Sequence, residues 1–356
     1  MNRFICDGSY ENDLKEYTEQ ILEKSGVSSQ SAEREIMCMA DAGNTVCTKL
    51  YADLVFYKKV LRRNPYREAF SLYMKSAGIS LDDSGKWQCS GVSYPLSFWT
   101  IGYYLVNYHR ESFLLKCEPI GIIDAMNLTE RLSTALELAA SCISTINAAG
   151  AINLVGRILR EAAGDESTFL ALKPFIQETI ADRDFPEISL KVTSCESAAQ
   201  CSAIAELFFA TAAQEGYVYA CNNLAAREAN RIIRMSKEGK DDEFLKECIM
   251  KYVHYLKISA DKYEPYAANR LGLFYMTGEI KGKGGKIVCR DYIDTALAKD
   301  YFTKATVYPD ANSAWSFFNL IKYFHKDYEH NIELLNEHMD YIKELNPEVY
   351  DIAIEL

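Results

Sequence analysis

Three stretches decide how this chain folds: FFATAAQEGYVYACNNLA (Phe208–Ala225), YLKISADKYEPYAANRLG (Tyr255–Gly272) and YFTKATVYPDANSAWSFFNLI (Tyr301–Ile321). In each, an aromatic-rich helical run closes on alanine and passes a short polar turn. It then reopens as a second helix that reaches a polar residue followed by leucine. Taking Ala212, Ala260 and Ala305 as equivalent gives steps of 48 and 45 residues, with two helical patterns per copy. That period marks a helical solenoid, whose units must stack to bury their apolar faces. The sequence therefore predicts an all-α fold.

Working outward, Asn331 to Leu356 is amphipathic and acidic, which suits the polar outer face that a last helix needs. On the other side, residues 10–25 place Leu14, Tyr17, Ile21 and Leu22 on one stripe of a first helix. From Ser31 the helix–turn–helix logic appears again: a turn at Gly43–Asn44, a helix through Leu50, Leu54 and Val55, and a next helix opened by Asn64–Pro65. Proline suits that first turn because its missing N–H has no partner there anyway. Ala69, Leu72, Tyr73 and Ala77 share one face, and Gly78 stops the helix in the left-handed conformation.

Residues 80–94 read as a loop, Pro95 to Glu111 as an aromatic-striped helix, 117–127 as a loop, and Leu128 to Ala149 as one long helix. Helix is expected at about 167–181, with a subdomain junction near 183–195. No run alternates over a strand length, so no sheet is expected. The resulting organisation is a capping helix over 1–30, divergent helical repeats with irregular loops over 31–195, the clear repeats over 196–330, and a capping helix over 331–356.

Composition sets the outer bounds. The 356 residues are 49% hydrophobic and 25% charged, as in a chain that buries a large core. The net charge of −11 disfavours nucleic acid, which needs clustered Lys and Arg, although a local basic face remains open. The 11 cysteines are odd in number, lack a CxxC pair and fall mostly inside helical runs. They read as small buried hydrophobes in a reducing compartment. With no secretory h-region and no membrane-length apolar run, the expected location is cytoplasmic, away from membranes.

Ala267-Ala268-Asn269-Arg270-Leu271-Gly272-Leu273-Phe274-Tyr275-Met276-Thr277-Gly278, followed by ALAKDYFTKA (Ala296–Ala305), resembles the Sel1-like subfamily of tetratricopeptide-like repeats. The likeness is strong over 201–323, fair over 32–79 and thin between 80 and 195. Leu224 and Leu320 match Leu271, but the glycine after it becomes Ala225 and Ile321. Gly272 is expected to let two helices approach, tolerating Ala but nothing bulky. The resemblance implies a right-handed superhelical solenoid of antiparallel helix pairs whose concave face holds protein or peptide. It implies no catalysis.

The sharpest candidate site is a polar ladder one residue before that leucine: Asn153, Asn223 and Asn319, with Lys49 and Arg270 in the corresponding slots. A leucine packed between helices turns its neighbour ~100° around the axis. In tetratricopeptide-like arrays such residues line the groove and hold a ligand backbone or carboxylate. Asparagine suits this because one amide both donates and accepts. The alternative is an asparagine that is solvated or bonded between repeats. Arg227, Asn230 and Arg231 extend the same helix, with plain exposed charge as the alternative reading.

Other features carry less. Lys281-Gly-Lys-Gly-Gly-Lys286 lacks phosphate-loop spacing and reads as an inter-helix loop. The run Lys58, Lys59, Arg62, Arg63, Arg67 reads as a solvated helix end. The histidines at 109, 254, 325, 330 and 338 complete no metal set, and no catalytic signature is present. No cofactor or metal is expected, and a small-molecule ligand is disfavoured. Most of the 24 tyrosines, Tyr73, Tyr255, Tyr275 and Tyr301 among them, are expected in the core. The expected function is a non-catalytic protein- or peptide-binding scaffold. The alternatives are a cytoplasmic regulator that changes conformation on binding a signal peptide, and an enzyme with a site lined by His109 in the 80–195 region.

Overall fold

The computed structural model describes residues 29–56, 63–82, 87–89, 94–108, 118–143, 148–181, 186–239, 242–308 and 312–355. The expected helix over 10–25, the basic positions Lys58, Lys59 and Arg62, and His109 lie outside them. Among the described residues the chain forms 17 α-helices and two short β-hairpins. None of these helices is long and apolar enough to cross a membrane. The chain divides into two compact units, Met1–Glu215 and Gly216–Leu356. The division falls in the turn of the first repeat copy.

The first unit contains α1 (Ser29–Asp41), α2 (Thr45–Phe56), α3 (Pro65–Ser76), β1 (Ile79–Leu81), β2 (Trp87–Cys89), α4 (Pro95–Asn107) and α5 (Gly121–Asp124). It continues with α6 (Leu128–Ser141), α7 (Ala148–Ala162), α8 (Glu166–Ala181), α9 (Pro186–Thr193) and α10 (Ala198–Gln214). Pro65 opens α3, and Gly78 ends it at φ 61°. Asn127 and Glu130 cap α6 reciprocally: the Glu130 N–H donates to Asn127 Oδ1 at 2.9 Å, and the Asn127 N–H donates to Glu130 Oε2 at 2.8 Å. Tyr73, Tyr104, Phe70 and Phe98 fill the centre.

Two expectations fail here, on the helix over 128–149 and the loop over 80–94. The single helix expected over 128–149 stops at Ser141, with Cys142 at its C-terminal cap, and a new helix starts at Ala148. The expected junction near 183–195 holds α9, opened by Pro186 at its first position. Within the expected loop over 80–94, β1 and β2 pair antiparallel, Ser80 opposite Gln88. A strand of three residues is too short to show alternation in a sequence.

The second unit runs α11 (Val218–Lys237), α12 (Asp242–Ala260), α13 (Pro265–Thr277), β3 (Glu279–Gly282), β4 (Gly285–Val288), α14 (Thr295–Lys304), α15 (Ser313–Tyr323), α16 (Ile332–Leu345) and α17 (Pro347–Ala353). Successive helices pack as pairs: α11 on α12, α13 on α14, α15 on α16. Ala260 and Ala305 are fully buried where α12 and α14 close. Leu224, Leu271 and Leu320 are all buried, as the repeat reading requires.

Gly272 marks the tightest crossing. A Cβ there would sit 2.5 Å from the ring of Phe302 on α14, which is itself fully buried. The expectation that alanine is tolerable at 272 is therefore wrong: the ring has no solvent to move into. Gly156 on α7 plays the same part against Phe209 on α10, where a Cβ would come within 2.8 Å. Around the Gly272 crossing, Tyr275 stacks on Tyr301 at 5.7 Å, and both are buried.

Candidate functional site

The candidate residues of the second unit lie on α11, α13 and α15, the helices that carry the buried leucines. Here the supposed inter-helix loop is a folded β-hairpin. β3 and β4 pair antiparallel, with Ile280 opposite Ile287 and Gly282 opposite Gly285. Gly285 takes φ 121° at the mouth of the turn, a conformation costly to any residue with a Cβ. Lysine and glycine make up half of its strand residues and hid the strands, because both are poor β-formers. The missed signal was Ile280 and Ile287–Val288 flanking a glycine-rich turn.

The hairpin leans on the nominated side chains. The Lys283 N–H donates to Asn230 Oδ1 at 2.7 Å. Arg270 Nη2 donates to the Lys281 carbonyl at 2.6 Å. Lys237 Nζ donates to the Gly284 carbonyl at 2.7 Å. Gly282 lies so close to Asn230 that a Cβ there would collide with its carbonyl oxygen. Asn230 thus holds the backbone N–H of the hairpin's turn, and Arg270 a backbone C=O of its first strand. Arg270 also lies over the Tyr266 ring at 5.9 Å. Tyr252, buried beneath, has its hydroxyl pushed up to about 12, chiefly by desolvation, with Arg270 pulling the other way.

Arg227 is exposed, and Arg231 lies over the Phe244 ring at 4.7 Å. Both flank the buried Glu228, at 3.7 and 3.8 Å from its two carboxylate oxygens. Desolvation raises the neighbouring Cys248 thiol, and the Glu228 carboxylate adds to the rise while Arg231 opposes it.

Asn319 is buried, and its Nδ2 donates to Asn269 Oδ1 at 3.0 Å, joining α15 to α13. That is the inter-repeat bond of the alternative reading, not a groove contact. Asn223 is half-buried on α11. In the first unit, Asn153 is buried within α7 at 3% exposure, which removes it from any surface. Lys49 pairs with Asp53 at 2.5 Å, and Asp53 also accepts the Tyr73 hydroxyl at 2.8 Å. Lys49 and Asn153 thus lie in one unit and the other six residues in the second.

Two residues escaped the sequence reading. Asn222 Nδ2 donates to Glu264 Oε2 at 2.8 Å, and Glu264 caps α13 by accepting the Ala267 N–H at 2.8 Å. Asn222 and Asn269 stand at the same register, two before the buried leucine, and both reach the next helix pair. The sequence carried that signal one position upstream of the ladder.

No family profile, no curated protein and no solved structure matches this chain. Among the described residues no group of three or more His, Cys, Asp or Glu side chains is placed to hold a metal ion.

Proposed function

We propose that this chain is a non-catalytic scaffold that binds an extended segment of a protein or peptide through α11, α13 and α15. The reading takes the stacked pairs as a right-handed Sel1-like or tetratricopeptide-like superhelix working in the cytoplasm. The observation that carries it is the grip of Asn230 and Arg270 on the backbone of residues 281–283. Side chains that satisfy backbone N–H and C=O groups have the chemistry that peptide recognition needs. Further support comes from the shared face of Tyr219, Asn223 and Arg227, spaced four apart along α11.

The test is selection of a displayed library of random short peptides against the intact protein. The expected result is peptides that bind in the micromolar range and lose roughly tenfold or more in affinity to the Asn223→Ala, Arg227→Ala double variant. Failure to recover any binding peptide, or equal binding by that variant, would reject the reading.

One observation favours the regulator reading as a second. The hairpin is held by three side chains whose bonds go to its backbone, so a ligand competing for them would release it.

A further inference from the structure

Each of the three leucine-bearing helices carries one large exposed aromatic residue five positions before its leucine: Tyr219 before Leu224, Tyr266 before Leu271, Trp315 before Leu320. They are 55%, 38% and 41% exposed, against burial of every leucine. The ladder position lies four residues further on, so each aromatic shares a helix face with Asn223, Arg270 or Asn319. The contact of Arg270 with the Tyr266 ring shows that neighbourhood directly. Trp315 meets Phe318 edge-on at 5.7 Å, which holds its ring against the helix. A single exposed aromatic needs no explanation, but one per repeat at one register does.

Charge singles out the same helices. α11, α13 and α15 carry Arg227, Arg231, Arg234, Lys237, Arg270 and Lys322 against one acid, Glu228, which is buried. Lys281 and Lys283 of the hairpin add to this set, while Lys286 pairs with the hairpin's Glu279 at 3.0 Å. The chain as a whole has a net charge of −11, and α16 exposes Glu333, Glu337, Asp340 and Glu344. The helices that display the aromatics are thus net positive in an acidic chain.

We infer that this face takes an acidic extended polypeptide segment bearing apolar side chains, which lie on Tyr219, Tyr266 and Trp315 while its carboxylates meet the arginines and lysines. This inference rests on the scaffold reading and specifies its partner. A polypeptide is favoured over nucleic acid for two reasons. The groups already in use on this face satisfy peptide N–H and C=O, and the overall acidity repels a long polyanion while leaving a short acidic segment free to approach.

The test is fluorescence anisotropy at low and physiological salt with three labelled probes. These are a short peptide of Glu, Asp, Leu and Phe, its counterpart with Lys in place of each acid, and a short oligothymidylate. Wild type is compared with the Tyr219→Ser, Tyr266→Ser, Trp315→Ser variant and with the Arg227→Glu, Lys322→Glu variant, each matched to wild type in circular dichroism and unfolding midpoint. The acidic peptide should bind, weaken with salt, and lose roughly tenfold or more in affinity to each variant. Equal binding of the lysine peptide, tighter binding of the oligothymidylate, or an unchanged affinity in the aromatic variant overturns the inference. Library peptides that need Asn223 and Arg227 but are neither acidic nor sensitive to the aromatics would leave the scaffold reading intact and remove this one. An empty library selection would remove both.

Discussion

Asn319 and Asn269 face each other across successive helix pairs, Nδ2 to Oδ1 at 3.0 Å, and they tie α15 to α13 where the surrounding contacts are apolar. A hydrogen bond between amides in such surroundings costs little to keep and much to break on one side only. Asn319→Ala should destabilise the protein by about 1–3 kcal/mol in urea unfolding. The double change with Asn269→Ala should cost less than the two single changes together, by about 1 kcal/mol. Strict additivity would show that the bond does not couple the pairs.

Gly272 offers a test by sign. Replacing an exposed mid-helix glycine by alanine stabilises by about 1 kcal/mol through backbone entropy. Here the added methyl would meet the Phe302 ring at 2.5 Å, and overpacking of that kind costs about 1–3 kcal/mol. Gly272→Ala should therefore lower the unfolding midpoint. In a Phe302→Leu background the same change should become neutral or stabilising. A stabilising effect in the wild-type background would contradict the packing described for α13 and α14.

The hairpin should depend on its tethers. A two-stranded hairpin is marginal alone, and Lys281 stands directly opposite Lys286. Asn230→Ala, with or without Arg270→Ala, should speed hydrogen exchange of the Lys283 amide by roughly tenfold or more while leaving helix content unchanged. Unchanged exchange would mean that the turn holds itself.

His338 gives a pH signature. Its ring shares a hydrogen bond of 2.9 Å with the Tyr328 hydroxyl and lies 4.8 Å from the Phe317 ring. Burial pushes its pKa below the usual 6.5, and the neighbouring Glu337 opposes the shift only in part. The unfolded chain therefore binds this proton first as pH falls. The contribution is complete above about pH 6.5 and is lost as pH drops through the folded-state value. Wild type should lose stability between neutral pH and pH 5, and His338→Asn should lose less over the same range. Parallel losses in the two proteins would assign the acid sensitivity to other groups.

The helical class was legible because Ala212, Ala260 and Ala305 recur before short polar turns, with leucines at helical spacing after them. Pro65, Gly78 and Gly278 punctuate where their backbone preferences dictate. The hairpins were not legible: β1 and β2 are three residues each, and half of β3 and β4 is Lys and Gly, which are poor β-formers. In the candidate site, periodicity identified the helix face but not the depth of each residue. Asn319 and Asn153 occupy the same slot as Arg270, yet both are buried. Position along a repeat fixes direction around the helix, whereas burial depends on what the next pair brings alongside.

The most direct measurement of the central claim is hydrogen-exchange footprinting of the intact protein with and without a library-selected peptide. Slowed exchange confined to α11, α13, α15 and the β3–β4 hairpin is the predicted result. Protection on α12, α14 and α16 with those elements unchanged would contradict it.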